Sequence, residues 1–382
     1  MEQLKFLHFS DLHLDMPFSS LGPDIEKPSK RRKDLLEVFD RIIDLARHEK
    51  VDIILISGDF YEHYYVKKAT IGYVNERFSE LEHVKIIIVP GNHDPYISNS
   101  YYKGFRWSSN VYILSEDNPF IEFEDLGACV YGVGFKSFYE EKAVLNNLKP
   151  VDEMFINILL IHGTVDMNFK KSLYNSVTSA ELSLLGMDYI AAGHFHKRMD
   201  DIGSKGVIYN PGSPEPLGFD EEGEHGVFIG KIKRCGQYKK SLELTYRNTN
   251  KRIYKSLEIR VEASYSGKQI LDRIKEVTSS INGQDTLVNL VVKGYVDPHY
   301  RIDLNRIINE LMDDFFYVSV EDLTLPEYDY EEIASGPGLK GAFARKMLKL
   351  INDAPLEKDK YLLMKAFHYG LEALDQGKIE VL

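Results

Sequence analysis

Short runs of β-branched and aromatic residues, each closed by a glycine or a polar tip, punctuate the first half of the chain. Leu4-Lys5-Phe6-Leu7-His8-Phe9 runs into Ser10-Asp11-Leu12-His13, Val51-Asp52-Ile53-Ile54-Leu55-Ile56-Ser57 into Gly58-Asp59, and Val84-Lys85-Ile86-Ile87-Ile88-Val89 into Pro90-Gly91-Asn92-His93-Asp94. Runs of this length bounded by turn residues read as buried strands. Between them the spacing becomes helical: Leu35, Leu36, Phe39, Ile42, Ile43 and Ala46 recur on one face, then Ile71, Val74, Phe78 and Leu81. Strands alternating with helices make a βαβαβ unit, which places the polar tips along one edge of the sheet. In open α/β sheets that edge is where ligands bind.

The aromatic-rich stretch that follows (Tyr96, Tyr101, Tyr102, Phe105, Trp107) reads as packing or subunit contact, with base stacking as the alternative. Shorter alternating strands come next, around 120–124 and 128–135. Then Phe155-Ile156-Asn157-Ile158-Leu159-Leu160-Ile161 ends in His162-Gly163, and Tyr189-Ile190-Ala191-Ala192 ends in Gly193-His194-Phe195-His196. Asn210-Pro211-Gly212-Ser213-Pro214 is read as a rigid structural turn. Strands near 226–232 and 242–247 close a first domain, placed at 1–250. From 253 to 330 strand and helix patterns without metal-capable clusters predict a small α+β domain. Beyond Ser335-Gly336-Pro337-Gly338, read as a flexible linker, the segment 336–382 carries two amphipathic helices. One bears Leu339, Phe343, Met347, Leu350 and Ile351, the other Leu363, Phe367, Leu371 and Leu374, and both stripes need a surface to cover them.

A length of 382 residues suits two or three domains, and 43% apolar residues is ordinary for a globular protein. The net charge of −12 argues against an autonomously adhesive nucleic-acid surface. Lys27-Pro28-Ser29-Lys30-Arg31-Arg32-Lys33 is the local exception, read as a solvated helix start or a phosphate-binding patch. Cys129 and Cys235 have no zinc spacing and cannot form a disulfide framework, which fits a reducing compartment. With no secretory pattern and no run of spanning length, a soluble, cytoplasmic protein without membrane contact is expected.

Asp11, His13, Asp59, Asn92, His162, His194 and His196 are nitrogen and oxygen donors, all at strand ends that one sheet edge brings together. In an extended stretch residues i and i+2 point the same way, so Asp11 and His13 can grip one ion. The full set meets the demand of two divalent ions roughly 3.5–4 Å apart sharing a carboxylate, the arrangement of two-metal hydrolysis. Asp59 is the natural bridge. A His/Asp/Asn set without thiolates suits manganese, iron or zinc better than calcium or magnesium. His93 is then free to handle a proton, with the carboxylate of Asp94 beside it.

The order Asp11-x-His13, Gly58-Asp59, Gly91-Asn92-His93-Asp94, His162, Gly193-His194-x-His196 resembles the calcineurin-like metallophosphoesterase superfamily. Within it the chain is most similar to SbcD-type nuclease subunits, including the YhaO-like branch of bacterial DNA-repair exonucleases. The resemblance implies an α/β fold of mixed β-sheets flanked by helices, with a small α+β capping domain and a C-terminal helix pair. It implies Asp11, His13, Asp59 and His196 on one metal and Asp59, Asn92, His162 and His194 on the other, two divalent ions with manganese first and iron or zinc as alternatives. His93 would act at the leaving oxygen with Asp94 orienting it. The implied function is metal-dependent hydrolysis of DNA, exonuclease or endonuclease, in an SbcCD-like repair complex. Residues 339–375 would dock an SbcC-like coiled-coil ATPase, and a homodimer is expected. Glu62 stands where some members carry a histidine that contacts the DNA end, and His63 follows it; with Lys30, Arg31, Arg32 and Lys33 they are the candidate DNA contacts. Two other functions fit the same residues: a phosphodiesterase or phosphatase on a small or protein substrate, and a catalytically silent docking component of the complex.

Overall fold

The computed structural model describes residues 3–22, 25–143, 145, 148, 152–166, 174–236, 239–281, 283–298 and 300–376. The chain divides into two compact units, Met1–Tyr254 and Lys255–Leu382. The strands of the first are β1 (Gln3–Phe9), β2 (Ile53–Ser57), β3 (Lys85–Val89), β4 (Val111–Ile113), β5 (Phe120–Phe123), β6 (Ala128–Val133), β7 (Glu140–Lys142), β8 (Ile156–His162), β9 (Tyr174–Ser176), β10 (Tyr189–Gly193), β11 (Ile208–Tyr209), β12 (Gly226–Arg234) and β13 (Lys240–Asn248). Its helices are α1 (Glu26–Glu49), α2 (Lys68–Ser79), α3 (Tyr101–Gly104) and α4 (Ser179–Ser183).

One sheet has the order β13-β12-β1-β2-β3-β4 and a second β11-β10-β8-β6-β5. β1 to β4 run parallel, while β12 pairs antiparallel with both β1 and β13. In the second sheet β6, β8, β10 and β11 are parallel and β5 is antiparallel. The two sheets meet face to face. Alternate side chains of the first (Leu4, Phe6, Ile53, Leu55, Ile87, Val89) share one core with Val130, Ile156, Ile158, Leu160 and Ala191 of the second. Ile158 is fully buried there, and its truncation to alanine would cost about 2–5 kcal/mol. α1 and α2 bury Leu35, Val38, Phe39, Ile42 and Ile43, and Ile71, Val74 and Phe78. Phe39, Phe60 and Phe78 are in mutual ring contact, and Phe60 also meets Phe9 of β1. Helices outside and mixed sheets inside give the α/β architecture expected.

α1 begins at Glu26, so the basic run lies inside its first turns rather than ahead of it. Arg31 is fully buried and bonds Asp34 (3.1 Å), Glu215 (2.5 Å) and the Pro216 carbonyl (2.7 Å). A guanidinium held by two carboxylates is a structural tie between α1 and the chain after β11, not a DNA contact. Lys30 is exposed and paired with Glu26, Arg32 donates to the Pro17 carbonyl, and Lys33 is exposed, so the run is no continuous basic patch.

β14 (Ile253–Val261) begins two residues before the second unit, which continues with α5 (Gly267–Thr278), β15 (Thr286–Val296), α6 (Leu304–Leu311) and β16 (Tyr317–Pro326), in the sheet order β14-β15-β16. Ser266 and Gln269 cap α5 reciprocally, and Ile270 and Ile274 on its inner face pack with Leu290, Val292 and Val318. Three further helices follow β16: α7 (Tyr330–Ser335), α8 (Gly338–Asp353) and α9 (Glu357–Gln376). Here the expectation of a flexible linker is corrected: Gly336-Pro337 is a short turn between α7 and α8, and the apolar stripes partly cover each other. Ala344, Met347, Phe367 and Leu371 are buried against one another, with Tyr330 and Ile333 of α7 packed on them. Arg345 donates to the Ala334 and Gly336 carbonyls, which ties α8 back to the turn. The helices cover part of their apolar surface internally; Leu339, Leu350, Leu356, Tyr361 and Leu362 stay exposed. Residues 377–382 of the C-terminal segment lie outside the described residues. None of the described helices is long and apolar enough to cross a membrane.

Candidate metal centre

One sheet edge was expected to gather the donors; instead β1, β2 and β3 of the first sheet and β8 and β10 of the second contribute them, each delivering polar residues at its tip or on the loop that follows. Four of these residues take left-handed backbone: Asp11 (φ 55°), His13 (φ 49°), Asp59 (φ 49°) and His194 (φ 104°). Such conformations cost free energy in L residues and persist where the surroundings over-determine them. The constraint is visible in the backbone: Asp11 N donates to the Gly58 carbonyl (3.1 Å) and His13 N to the Asp59 carbonyl (3.0 Å). Gly58 (φ 87°) admits no side chain, because a Cβ there would collide with the His162 ring, and a Cβ on Gly91 would collide with Asp59.

Among the described residues the loops assemble three groups of converging donors, one of them His13, Glu62 and His93. In the other two, Asp11, His13 and His196 present ligand atoms within 4.8 Å of one another, and so do Asp59, His162 and His194. Asp59 Oδ2 stands between these two, 3.2 Å from His162 Nε2 and 3.7 Å from His13 Nε2. Its other oxygen accepts from the His93 backbone N–H at 2.7 Å. Asn92 Oδ1 lies 3.1 Å from His162 Nε2, His196 Nε2 is 3.2 Å from His13 Nε2, and the His194 backbone N–H donates to Asp11. All seven residues singled out as donors are thus brought to one place.

The orientation of the rings fits divalent ions. His13 Nδ1 is held by Glu62 (2.8 Å), His162 Nδ1 by the Ser57 carbonyl (2.7 Å) and His196 Nδ1 by Glu221 (2.6 Å). An acceptor behind Nδ1 fixes the tautomer and aims Nε2 at the cluster, the arrangement expected around metal-bound histidine. Asp11 and Asp59 are buried carboxylates, which burial penalises without a cation nearby. The neighbouring histidines supply such charge when protonated. Burial opposes protonation of His162, but Asp59 outweighs it and lifts the ring to about 9. The same contest at His196 is decided by Glu221, again at about 9. Burial and the charge on His162 hold His194 down, at about 4. Asp59, despite burial, is held well below the ordinary carboxylate range by His162.

The residue expected to orient His93 is corrected. Both oxygens of Asp94 are consumed by the fold: they accept from the backbone N–H groups of Asp59 (3.1 Å), Phe60 (2.7 Å) and Gly91 (2.6 Å) and from the Tyr102 hydroxyl (2.6 Å). Its pKa rises to about 6 through burial and the charge on Asp59. His93 is held by Glu62 instead, with Nδ1 at 3.1 Å from Oε2. Burial opposes the His93 cation, and the Glu62 hydrogen bond prevails at about 9. Glu62 is itself held at about 2, its burial outweighed by His13 and His93. It is therefore an inward brace between two histidines and not a surface contact for DNA. His63 is half-buried, its ring edge-on to Tyr64 and Phe138.

Glu221 was not visible in the sequence. It lies outside any strand tip, and it also accepts from Ser213 Oγ (2.8 Å) and Leu217 N (3.1 Å). The turn Asn210 to Pro214 supports the same histidine: Ser213 N donates to the His196 carbonyl and Asn210 Nδ2 to the Phe195 carbonyl. The acidic run Asp220-Glu221-Glu222 after a rigid Pro-Gly turn is the one signal in the sequence, and it does not single out Glu221.

Comparison with known proteins agrees with this geometry. The chain is 24% identical over 308 residues to the uncharacterized metallophosphoesterase YhaO of Bacillus subtilis, a match that spans 77% of this chain and 72% of that protein. It is 24% identical over 371 residues to SbcD, the D component of the SbcCD nuclease of Staphylococcus saprophyticus, covering 83% of this chain and 93% of that one. To the DNA double-strand break repair protein Mre11 of Methanopyrus kandleri it is 26% identical over 262 residues, 61% of this chain but only 55% of the relative. The family profile for calcineurin-like phosphoesterases matches residues 4–198, from β1 through the loop that carries His194 and His196. Metallophosphoesterases use divalent metals, and these strand tips are where the chain gathers its donors: it belongs to the calcineurin-like phosphoesterase family.

Proposed function

We propose that the chain hydrolyses DNA phosphodiester bonds with two divalent ions, as the nuclease component of an SbcCD-like repair complex. The carrying observation is Asp59 Oδ2, placed between two groups of buried donors within reach of both. Asp11, His13, Asp59 and His196 would hold one ion, and Asp59, Asn92, His162 and His194 the other, manganese first with iron or zinc as alternatives. When bound, the ions supply Lewis-acid polarisation of phosphoryl oxygens and lower the pKa of water towards about 7. The chain's own part is positional. Asp59 Oδ1 anchors the His93 backbone, Glu62 holds Nδ1, and Nε2 has no partner among the described residues, so the half-exposed ring can deliver a proton to a leaving oxygen.

The relatives named for a nuclease and for double-strand break repair favour DNA over a small ester. In this reading 253–330 caps the DNA and the leucines left exposed in 339–375 dock a coiled-coil ATPase, helix in groove. End-labelled duplex DNA with manganese, run beside bis-p-nitrophenyl phosphate and with the ATPase present, tests the function. Cleavage of the DNA supports it; turnover of the small ester alone, even with the partner, would replace it with a small-substrate phosphodiesterase. Leu350→Glu with Leu362→Glu, both on exposed positions, should abolish co-purification with the ATPase.

A further inference from the structure

The loop after β2 does not end at Glu62. Residues 62–66 close a hydrogen-bonded turn, with Tyr65 N and Val66 N both donating to the Glu62 carbonyl (3.0 and 2.8 Å), and His63 N donates to the His93 carbonyl (3.0 Å). The rings that follow form a built surface. Tyr64 lies on Phe138 with centroids 5.2 Å apart and planes 11° from parallel, while His63 meets both edge-on at 5.3 and 5.7 Å. Tyr64 is nevertheless 75% exposed, so one face of a stack fixed on its other side is open to solvent. Its hydroxyl has no hydrogen-bond partner among the described residues.

Two features say what covers this face. It is continuous with the reacting centre: one residue separates Tyr64 from Glu62, which touches both His13 and His93. Its charge is also of the right sign, because Lys67 and Lys68, immediately past the turn, are exposed and make no ion pair among the described residues. A rigid aromatic face with cations close behind it in the chain suits an unpaired nucleic-acid strand, since every base has a π-face and every linkage a negative charge. A turn already closed by backbone hydrogen bonds spends little ordering entropy on binding.

We propose that His63, Tyr64 and Phe138 form a stacking platform for one unpaired nucleobase beside the scissile phosphodiester, with Lys67 and Lys68 taking the neighbouring phosphates. This rests on the nucleic-acid reading of the metal centre and adds to it a preference for frayed or single-stranded ends. The rings would not serve a duplex whose bases remain stacked on each other.

The test is a double-mutant cycle on the full-length chain with manganese, crossing Tyr64→Ala with an abasic site near the cleaved bond of an oligodeoxynucleotide. Removing the base should lower wild-type kcat/KM by about tenfold or more and leave the Tyr64→Ala value nearly unchanged; Tyr64→Trp should restore the wild-type response. Equal losses in wild type and variant would overturn the platform, and a protein-docking role for these rings would give that result. In the wild type, 2-aminopurine at the same position should lose fluorescence on binding, which reads stacking without any variant; unquenched binding overturns the proposal. If the wild type, with the ATPase partner present, turns over bis-p-nitrophenyl phosphate but no oligonucleotide, the nucleic-acid reading falls and the platform with it. Oligonucleotide cleavage with no coupling sinks the platform alone.

Discussion

The loops after β2 and β3 leave neighbouring parallel strands, and each carries a glycine and a buried aspartate, yet the two carboxylates have opposite fates. Asp59 turns one oxygen toward His13 and His162. Asp94 spends both oxygens on backbone N–H groups and the Tyr102 hydroxyl. Their protonation diverges accordingly, Asp59 held down by His162 against burial and Asp94 pushed up to about 6 by burial and Asp59. Residue type and burial are the same; what differs is whether the acceptor capacity has already been used. A carboxylate saturated by the fold is a girder, and one left facing imidazoles is available for chemistry.

The sharpest way to break this comparison is to remove each charge in turn. Asp59→Asn should reduce bound manganese to background and abolish hydrolysis, whereas Asp94→Asn should keep its metal while losing about 1–3 kcal/mol of stability, because an amide cannot accept from all of its donors. Metal analysis beside urea unfolding separates the two, and equal metal loss in both variants would erase the distinction. Next in size, His93→Ala should retain metal and lose about 10²–10⁴-fold in kcat, the usual worth of a general acid. A variant that loses metal instead would make His93 a ligand.

Smaller effects probe the braces. Glu62→Gln and Glu221→Gln should each weaken metal affinity by about 10–100-fold, since they orient His13 and His196 from behind. The least dramatic test is calorimetric. His162 and His196 titrate at about 9 in the metal-free chain and must be neutral to ligate, so metal binding should tighten as pH rises toward that value. At a pH of about 7.5 loading should release about two protons, visible as a dependence of the heat on buffer ionisation. Release of none would mean that these rings are not ligands.

Much of this was legible in the sequence, and the limits have physical causes. β-branched runs ending in glycine announce buried parallel strands, and parallel strands put their C-terminal tips on one edge, so the pattern groups the donors within each sheet; that His162, His194 and His196 come from a second sheet packed on the first could not be read from it. Which acid supports which histidine could not be read. Glu62 and Asp94 both compete for His93, and only the loop's closure decides that one faces the ring and the other the backbone. Arg31 misled because one of its two carboxylate partners, Glu215, and the chain that buries it lie about 184 residues away. The stripes of α8 and α9 were correctly apolar, but a stripe does not say whether its cover is a partner or the neighbouring helix.

The donors are also divided between the two sheets: Asp11, His13, Asp59 and Asn92 follow strands of one, and His162, His194 and His196 belong to strand ends of the other. During synthesis the first sheet's parallel tips therefore emerge well before their counterparts exist, with buried-type carboxylates exposed and no imidazoles from β8 or β10 to neutralise them. Contacts of such long sequence separation form late, after the entropy of loop closure has been overcome. Ion capture would then coincide with docking of one sheet on the other, and appearance of tightly held metal would serve as a clock for the last step of folding.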